Sequence, residues 1–247
     1  MRKLNNPFLK NGKAMILAYD HGFEHGISDF NDFSLLPENI LELAANNGYT
    51  GLVLHKGLGE LLFPVSKKVP LIIKLNGKSP FLRENDSLVS ADCSVKYAQE
   101  LGAKGVGYTI YLGSQFEKEM IKEFGKIQEE ARERNLITIL WLYPVSKEIL
   151  SWENFTANAC RLGLELGADM VKIKYPGSKE ELKKARKYCP SLKILLSGGE
   201  KLAEEEFLNN LKESLKAGLD GVAVGRNIFQ QEDPESMSKK IQEIIFG

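Results

Sequence analysis

One phrase recurs along the 247 residues and restricts the fold more than any other feature. It is an amphipathic stretch, a glycine, two or three residues, then a short β-rich run. It reads Leu43-Ala44-Ala45-Asn46-Asn47-Gly48 before Gly51-Leu52-Val53-Leu54, and Gln99-Glu100-Leu101-Gly102 before a run at 105–110. It returns as Leu164-Glu165-Leu166-Gly167 before 170–174, and as Leu215-Lys216-Ala217-Gly218 before 221–225. The glycine suits the left-handed position just past a helix, and the run after it suits a buried parallel strand. Further runs at 14–20, 70–75, 137–143 and 193–197 bring the strands to eight. Helical patterns at 116–134, 153–166, 180–188 and 203–216 lie between them, and one at 234–245 follows the last. Eight units of about 31 residues match the size of a βαβ step. No Pro/Ser/Gly-rich linker divides them. The pattern predicts an α/β fold: a single-domain (β/α)8 TIM barrel over residues 1–247, in preference to an open doubly wound sheet.

Composition narrows the partners. The 43% apolar content supports a large core, and 33 basic residues balance 33 acidic ones. Zero net charge removes the electrostatic case for nucleic acid or an anionic membrane. Cys93, Cys160 and Cys189 are odd in number and far apart, which argues against a disulfide framework or a zinc cluster and fits reduced thiols. The segment Met1 to Pro7 has no apolar signal-like core, and no apolar run approaches the ~18 residues of a membrane span. A soluble cytoplasmic protein is expected.

In such a barrel, chemistry sits at the C-terminal strand ends. Strand six reads Met170-Val171-Lys172-Ile173-Lys174-Tyr175, so Lys172 and Lys174 share the face opposite Val171 and Ile173. If the apolar face packs on helices, both lysines point inward, and Lys74 in Leu71-Ile72-Ile73-Lys74-Leu75 invites the same reading. Desolvation and cationic neighbours favour the neutral amine that attacks a carbonyl. A structural ion pair is the competing role, and spacing does not choose between Lys172 and Lys174.

Strand one ends in Tyr19-Asp20-His21-Gly22-Phe23-Glu24-His25-Gly26, which offers acid–base groups. Asp20 is either catalytic or an anchor for loop backbone. Gly22 and Gly26 argue against a helix here. A metal site from His21, His25 and His55 is a minor alternative. Strand five ends Leu140-Trp141-Leu142-Tyr143-Pro144, where Trp141 and Tyr143 share a face and are either core or site. Strands seven and eight end in Ser197-Gly198-Gly199 and Gly225-Arg226, the place where barrels commonly hold phosphate. Gly102, Gly105 and Gly107 precede and enter a strand, so they are not a dinucleotide fingerprint. The charged helix 116–134 reads as a solvated face.

The stretch Ala18 to Gly26, the run Gly167 to Tyr175, and the Ser197-Gly198-Gly199 and Gly225-Arg226 loops together resemble the archaeal-type class I fructose-bisphosphate aldolases over essentially the whole chain. The resemblance implies a barrel, a Schiff-base lysine, no metal or other cofactor, a sugar-phosphate substrate and a cyclic homo-oligomer. It places the Schiff base on Lys172, the proton-shuttling phenol on Tyr143, the strand-one carboxylate on Asp20 and the site-shaping indole on Trp141. Lys74, His25 and Lys174 join as substrate-binding candidates. Ser197, Gly198, Gly199, Gly225 and Arg226 fall on the pocket for the C1 phosphate. Related enzymes that run a transaldolase step toward aromatic amino acids keep the lysine and the phosphate loops, and Trp141 favours the sugar reaction. Two departures stand out: Val145-Ser146 where Arg-Gly is common, and Pro176 where Thr is. Lys147 is the candidate to replace the lost arginine at the far phosphate, as a point charge rather than a fork. A non-catalytic sugar-phosphate-binding barrel is the more distant alternative.

Overall fold

A computed structural model describes residues 5–62, 68–81 and 89–247. Met1 to Leu4, part of the stretch read for a signal sequence, lie outside them. Eight parallel strands form a closed barrel in chain order. They are β1 Ala14–Ala18, β2 Gly51–His55, β3 Leu71–Lys74, β4 Gly105–Leu112, β5 Ile137–Pro144, β6 Met170–Ile173, β7 Lys193–Ser197 and β8 Gly221–Val224. Pairing of Ala14 with Gly221 and Leu17 with Val224 joins β8 back to β1. Helices lie between successive strands, and the helix Pro234–Phe246 follows the last. No helix of the described residues is long and apolar enough to cross a membrane.

The recurrent glycines do what their position suggests. Gly48, Gly102, Gly167 and Gly218 all carry φ between 68° and 100°, a conformation that stops a helix and turns the chain into the next strand. Period-two alternation then splits the strands between two cores. Outward residues such as Val171, Ile173, Leu140 and Leu142 pack on the helices. Inward ones, among them Ile16, Val53, Ile72, Ile139, Trp141, Met170 and Leu195, fill the barrel. Strand β4 contributes glycines to that interior because large side chains from elsewhere occupy its share. A Cβ on Gly105 would lie 2.7 Å from the Phe8 ring, and one on Gly107 would lie 2.3 Å from the Trp141 indole.

The structure corrects the sequence reading in several places. The segment after β1 is a one-turn helix, His21–His25, despite its glycines. Tertiary packing overrides propensity there: a Cβ on Gly22 would sit 2.7 Å from the Phe30 ring, so the small residue is what allows the turn to close. Strand β1 stops at Ala18, two residues short of the expected end, and β4 runs two further, to Leu112. The loop after β5 holds an extra short helix, Lys147–Leu150, with the Ser146 hydroxyl accepting from the Ile149 N–H.

Candidate active site

The C-terminal ends of the strands enclose a cavity of about 300 Å³. Lys172, Lys174, Tyr143, Trp141, Asp20, His25, Ser197, Gly198, Gly199, Gly225 and Arg226 all line it. These residues come from five strand ends, brought together by closure of the barrel.

Lys172 projects inward from β6, 5% exposed, with its ammonium 5.2 Å from the centroid of the Trp141 ring. Trp141 is its neighbour across β5, in direct register. Burial pushes the Lys172 amine down to about 8, against the opposing pull of Asp20. At pH 7 that leaves about one lysine in ten as free amine, against about one in three thousand for an ordinary lysine. Lys174 lies one residue past the strand, exposed at the cavity mouth with its ammonium 5.7 Å from the Tyr143 ring. Both lysines therefore line the cavity, Lys172 deep in the barrel and Lys174 at its mouth.

Asp20 occupies the N-cap position of helix His21–His25, yet its side chain caps nothing. Its role as a backbone anchor is thereby removed, and the carboxylate faces the cavity. Burial pushes its carboxyl up, but Lys172 and Lys74 outweigh that and hold it below the ordinary range. Tyr143 places its hydroxyl 3.1 Å from the Ser197 hydroxyl. Burial raises the phenol well above its usual range despite that bond, so it stands protonated.

The glycine loops are tied by a residue the sequence reading did not single out. Asn227, fully buried, donates to the carbonyls of Gly198 and Glu200, both at 2.8 Å, and accepts from the Leu202 N–H. Gly199 adopts φ +67° and faces open space, while a Cβ on Gly225 would lie 2.3 Å from the Ala18 carbonyl oxygen. Arg226 pairs with Asp29 at 3.1 Å, which fixes the guanidinium at the cavity edge.

Two candidates sit elsewhere than expected. Lys74 is 0% exposed and is absent from the cavity lining; its ammonium donates to Glu24 at 3.3 Å and to the Asn76 carbonyl at 2.7 Å. It therefore does not stand where a substrate contact would. The histidines are dispersed. His21 is packed between Phe30 and Phe229, each 4.7 Å away, and burial lowers it to about 4. His55 packs on Phe23, while His21 and His25 both line the cavity. Among the described residues no cluster of His, Cys, Asp and Glu side chains is arranged to hold a metal ion.

Glu24, Tyr111 and Glu200 also line the cavity. A second cavity of about 610 Å³ shares Glu24, His25, Tyr111 and Lys174 with the first, and adds Lys78, Ser146 and Lys147. The two form one continuous, cation-rich opening. Glu24 and Tyr111 were detectable only as residues four places and one place past the expected strand ends, a signal too general to single them out.

Sequence and structure comparisons agree with this geometry. The DeoC/LacD family of aldolases matches residues 14–231. Class 1 fructose-bisphosphate aldolase of Thermoproteus tenax is 42% identical over 245 residues, which cover 97% of this chain and 92% of the relative. The enzyme of the same name from Halobacterium salinarum is 38% identical, covering 98% and 94%. A solved archaeal fructose-1,6-bisphosphate aldolase, its catalytic lysine covalently bound to the carbinolamine intermediate of the substrate, superposes with a TM-score of 0.91 at 40% identity, over 98% of this chain and 97% of that one. The chain belongs to the DeoC/LacD family of aldolases.

Proposed function

We propose that this protein is a class I, Schiff-base fructose-1,6-bisphosphate aldolase that needs no metal, cleaving its substrate reversibly to dihydroxyacetone phosphate and glyceraldehyde 3-phosphate. The observation that carries the reading is the buried Lys172 amine, lowered to about 8, in one cavity with the Tyr143 phenol, the Asp20 carboxylate and a glycine-lined loop pair. The relatives named above support it with the same activity.

The steps follow from these groups. The Lys172 amine adds to the C2 carbonyl, and its surplus proton passes through Asp20 to the new alkoxide oxygen. Tyr143, a neutral phenol in the free protein, protonates that hydroxyl as it leaves as water. The phenolate that results is stabilised by the adjacent iminium charge. It then takes the C4 hydroxyl proton as C3–C4 breaks and the bond's electron pair flows into the iminium. Glyceraldehyde 3-phosphate leaves, the phenol returns the proton to C3 of the enamine, and hydrolysis reverses the first steps to free dihydroxyacetone phosphate. Trp141 walls the site. Ser197, Gly198, Gly199, Gly225 and Arg226 cradle the C1 phosphate, close to the carbon that Lys172 attacks. Lys147 and Lys174 of the wider opening serve the far phosphate, in place of the arginine that Val145-Ser146 lacks. The setting is a reducing cytoplasm, supported by three buried free thiols, the place is glycolysis or gluconeogenesis, and the assembly is a cyclic homo-oligomer.

Borohydride trapping with dihydroxyacetone phosphate, followed by peptide mass analysis, tests the reading. A reduced adduct on Lys172 is expected, and Tyr143→Phe should keep that adduct while losing roughly 10²–10⁴ in cleavage rate. An adduct on Lys174 would reassign the nucleophile, and no adduct would remove the Schiff-base mechanism.

A further inference from the structure

Two buried lysines share one indole. The Lys172 ammonium lies 5.2 Å and the Lys74 ammonium 5.4 Å from the centroid of the Trp141 ring, which is itself 2% exposed. Lys74 reaches the ring from β3 and lies outside the cavity lining. Its ammonium is held by the Glu24 carboxylate and the Asn76 carbonyl. Asn76 is fixed in turn: its side chain donates to Val89 and Thr109 carbonyls and accepts from the Thr109 N–H. A substrate-binding lysine needs access that this one lacks, and the ring that holds Lys74 also lies against the nucleophile.

We propose that Lys74 is a positioning residue for the Schiff-base step: its buried ammonium, pinned against the Trp141 ring by Glu24 and the Asn76 carbonyl, repels the proton from Lys172 and keeps the nucleophile a free amine without touching substrate. The inference rests on the Schiff-base reading above. Other groups facing Lys172 are accounted for. Asp20 at the end of β1 and Glu24 on helix His21–His25 favour the charged lysine, while Arg226 after β8 acts in the same sense as Lys74. Tyr143 of β5 and Tyr111 of β4 stand protonated, and Ser197 of β7 is neutral. His55 of β2 is lowered by burial and by Lys74, so it stays neutral near neutral pH. Lys74 is thus the buried cation set against Asp20, whose carboxylate alone would hold the proton on Lys172.

The two ammonium groups are at most about 11 Å apart across the shared ring, and a unit charge at that distance in an effective dielectric of about 20 moves a pKa by about one unit. The test is the pH profile of the rate of borohydride-trapped adduct formation with dihydroxyacetone phosphate, on folded protein checked by thermal melting. Lys74→Met and Lys74→Gln should each raise the midpoint by about one pH unit, so that trapping well below it slows about tenfold with the adduct still on Lys172. Lys74→Arg, which keeps the charge, should stay near the wild-type profile. Two neutral variants guard against one failing to fold. A folded neutral variant with the wild-type midpoint would overturn the inference and leave the aldolase reading intact. So would an arginine variant that shifts as far as the neutral ones. Absence of any adduct in the wild-type protein would instead overturn the aldolase reading itself.

Discussion

Gly107→Ala isolates the packing that supports Lys172. The added methyl would lie 2.3 and 2.4 Å from two atoms of the Trp141 six-membered ring and 3.3 Å from Lys74 Cδ. Ordinary carbon contacts are about 3.5–4.0 Å, so the indole must recede by more than about 1 Å. Backbone strain does not enter, because Gly107 is not among the positive-φ glycines. Overpacking of this kind costs about 1–3 kcal/mol, a fall in Tm of about 3–10 °C for a chain of this length. Catalysis should suffer more than stability. Trp141 packs directly against the Lys172 ammonium, and a shift of about 1 Å at a reacting group costs on the order of 10² in rate. The assay is kcat/KM for fructose 1,6-bisphosphate cleavage beside a thermal melt. Trp141→Phe removes the clashing atoms, so the double variant should lose less than the two single variants combined, by about 1 kcal/mol or more of coupling. Gly125→Ala, in helix Glu117–Glu133 with nothing within 4 Å of its new methyl, is the control and should stabilise by up to about 1 kcal/mol. Unchanged Tm and kcat/KM in Gly107→Ala, or strict additivity with Trp141→Phe, would refute the reasoning.

Two further predictions separate stability from chemistry. His21 is held at about 4 by burial against about 6.5 in the unfolded chain, so between those values the unfolded state binds more protons. Its contribution is complete above pH 6.5 and is lost as pH falls toward 4, by about 3 kcal/mol; a pH series of melts should show this slope in the wild type and lose much of it in His21→Phe. Asp220 lies at the opposite end of the barrel from the cavity, where it bonds Arg186, Lys193 at 2.9 Å and the Ile194 N–H. Asp220→Ala leaves partly buried cations unpaired and should cost about 3 kcal/mol, lowering Tm by about 6–12 °C with cleavage kinetics of the folded fraction unchanged; a proportionate loss of kcat would contradict the division between the two barrel ends.

What was legible in the sequence was whatever repeats or alternates. The helix–glycine–strand phrase located four strands and the left-handed glycines before them, and alternation pointed Lys172 inward and put Trp141 and Tyr143 on one shared face, which the structure turns inward. Parity carried on to Lys174, one residue past the end of β6, which lines the same cavity at its mouth. The short helix after β1 and the packing of His21 between two phenylalanines depend on contacts with Phe30 and Phe229, the second more than 200 residues away in the chain, which no local pattern encodes.

Gly107 and Lys74 show the same limit from the functional side. In the sequence, Gly107 is a glycine inside a strand and Lys74 one more inward lysine; neither has a meaning until barrel closure sets both against Trp141. Strand pairing puts Lys74 opposite Gly107, and the glycine leaves the room in which the β5 indole reaches the lysine from β3. A larger residue at 107 would displace the indole, and a neutral one at 74 would leave Asp20 opposed by one less buried cation. The reactivity of Lys172 is therefore a property of three neighbouring strands together, which is why its own strand identified it as a candidate and could not show what keeps its amine free.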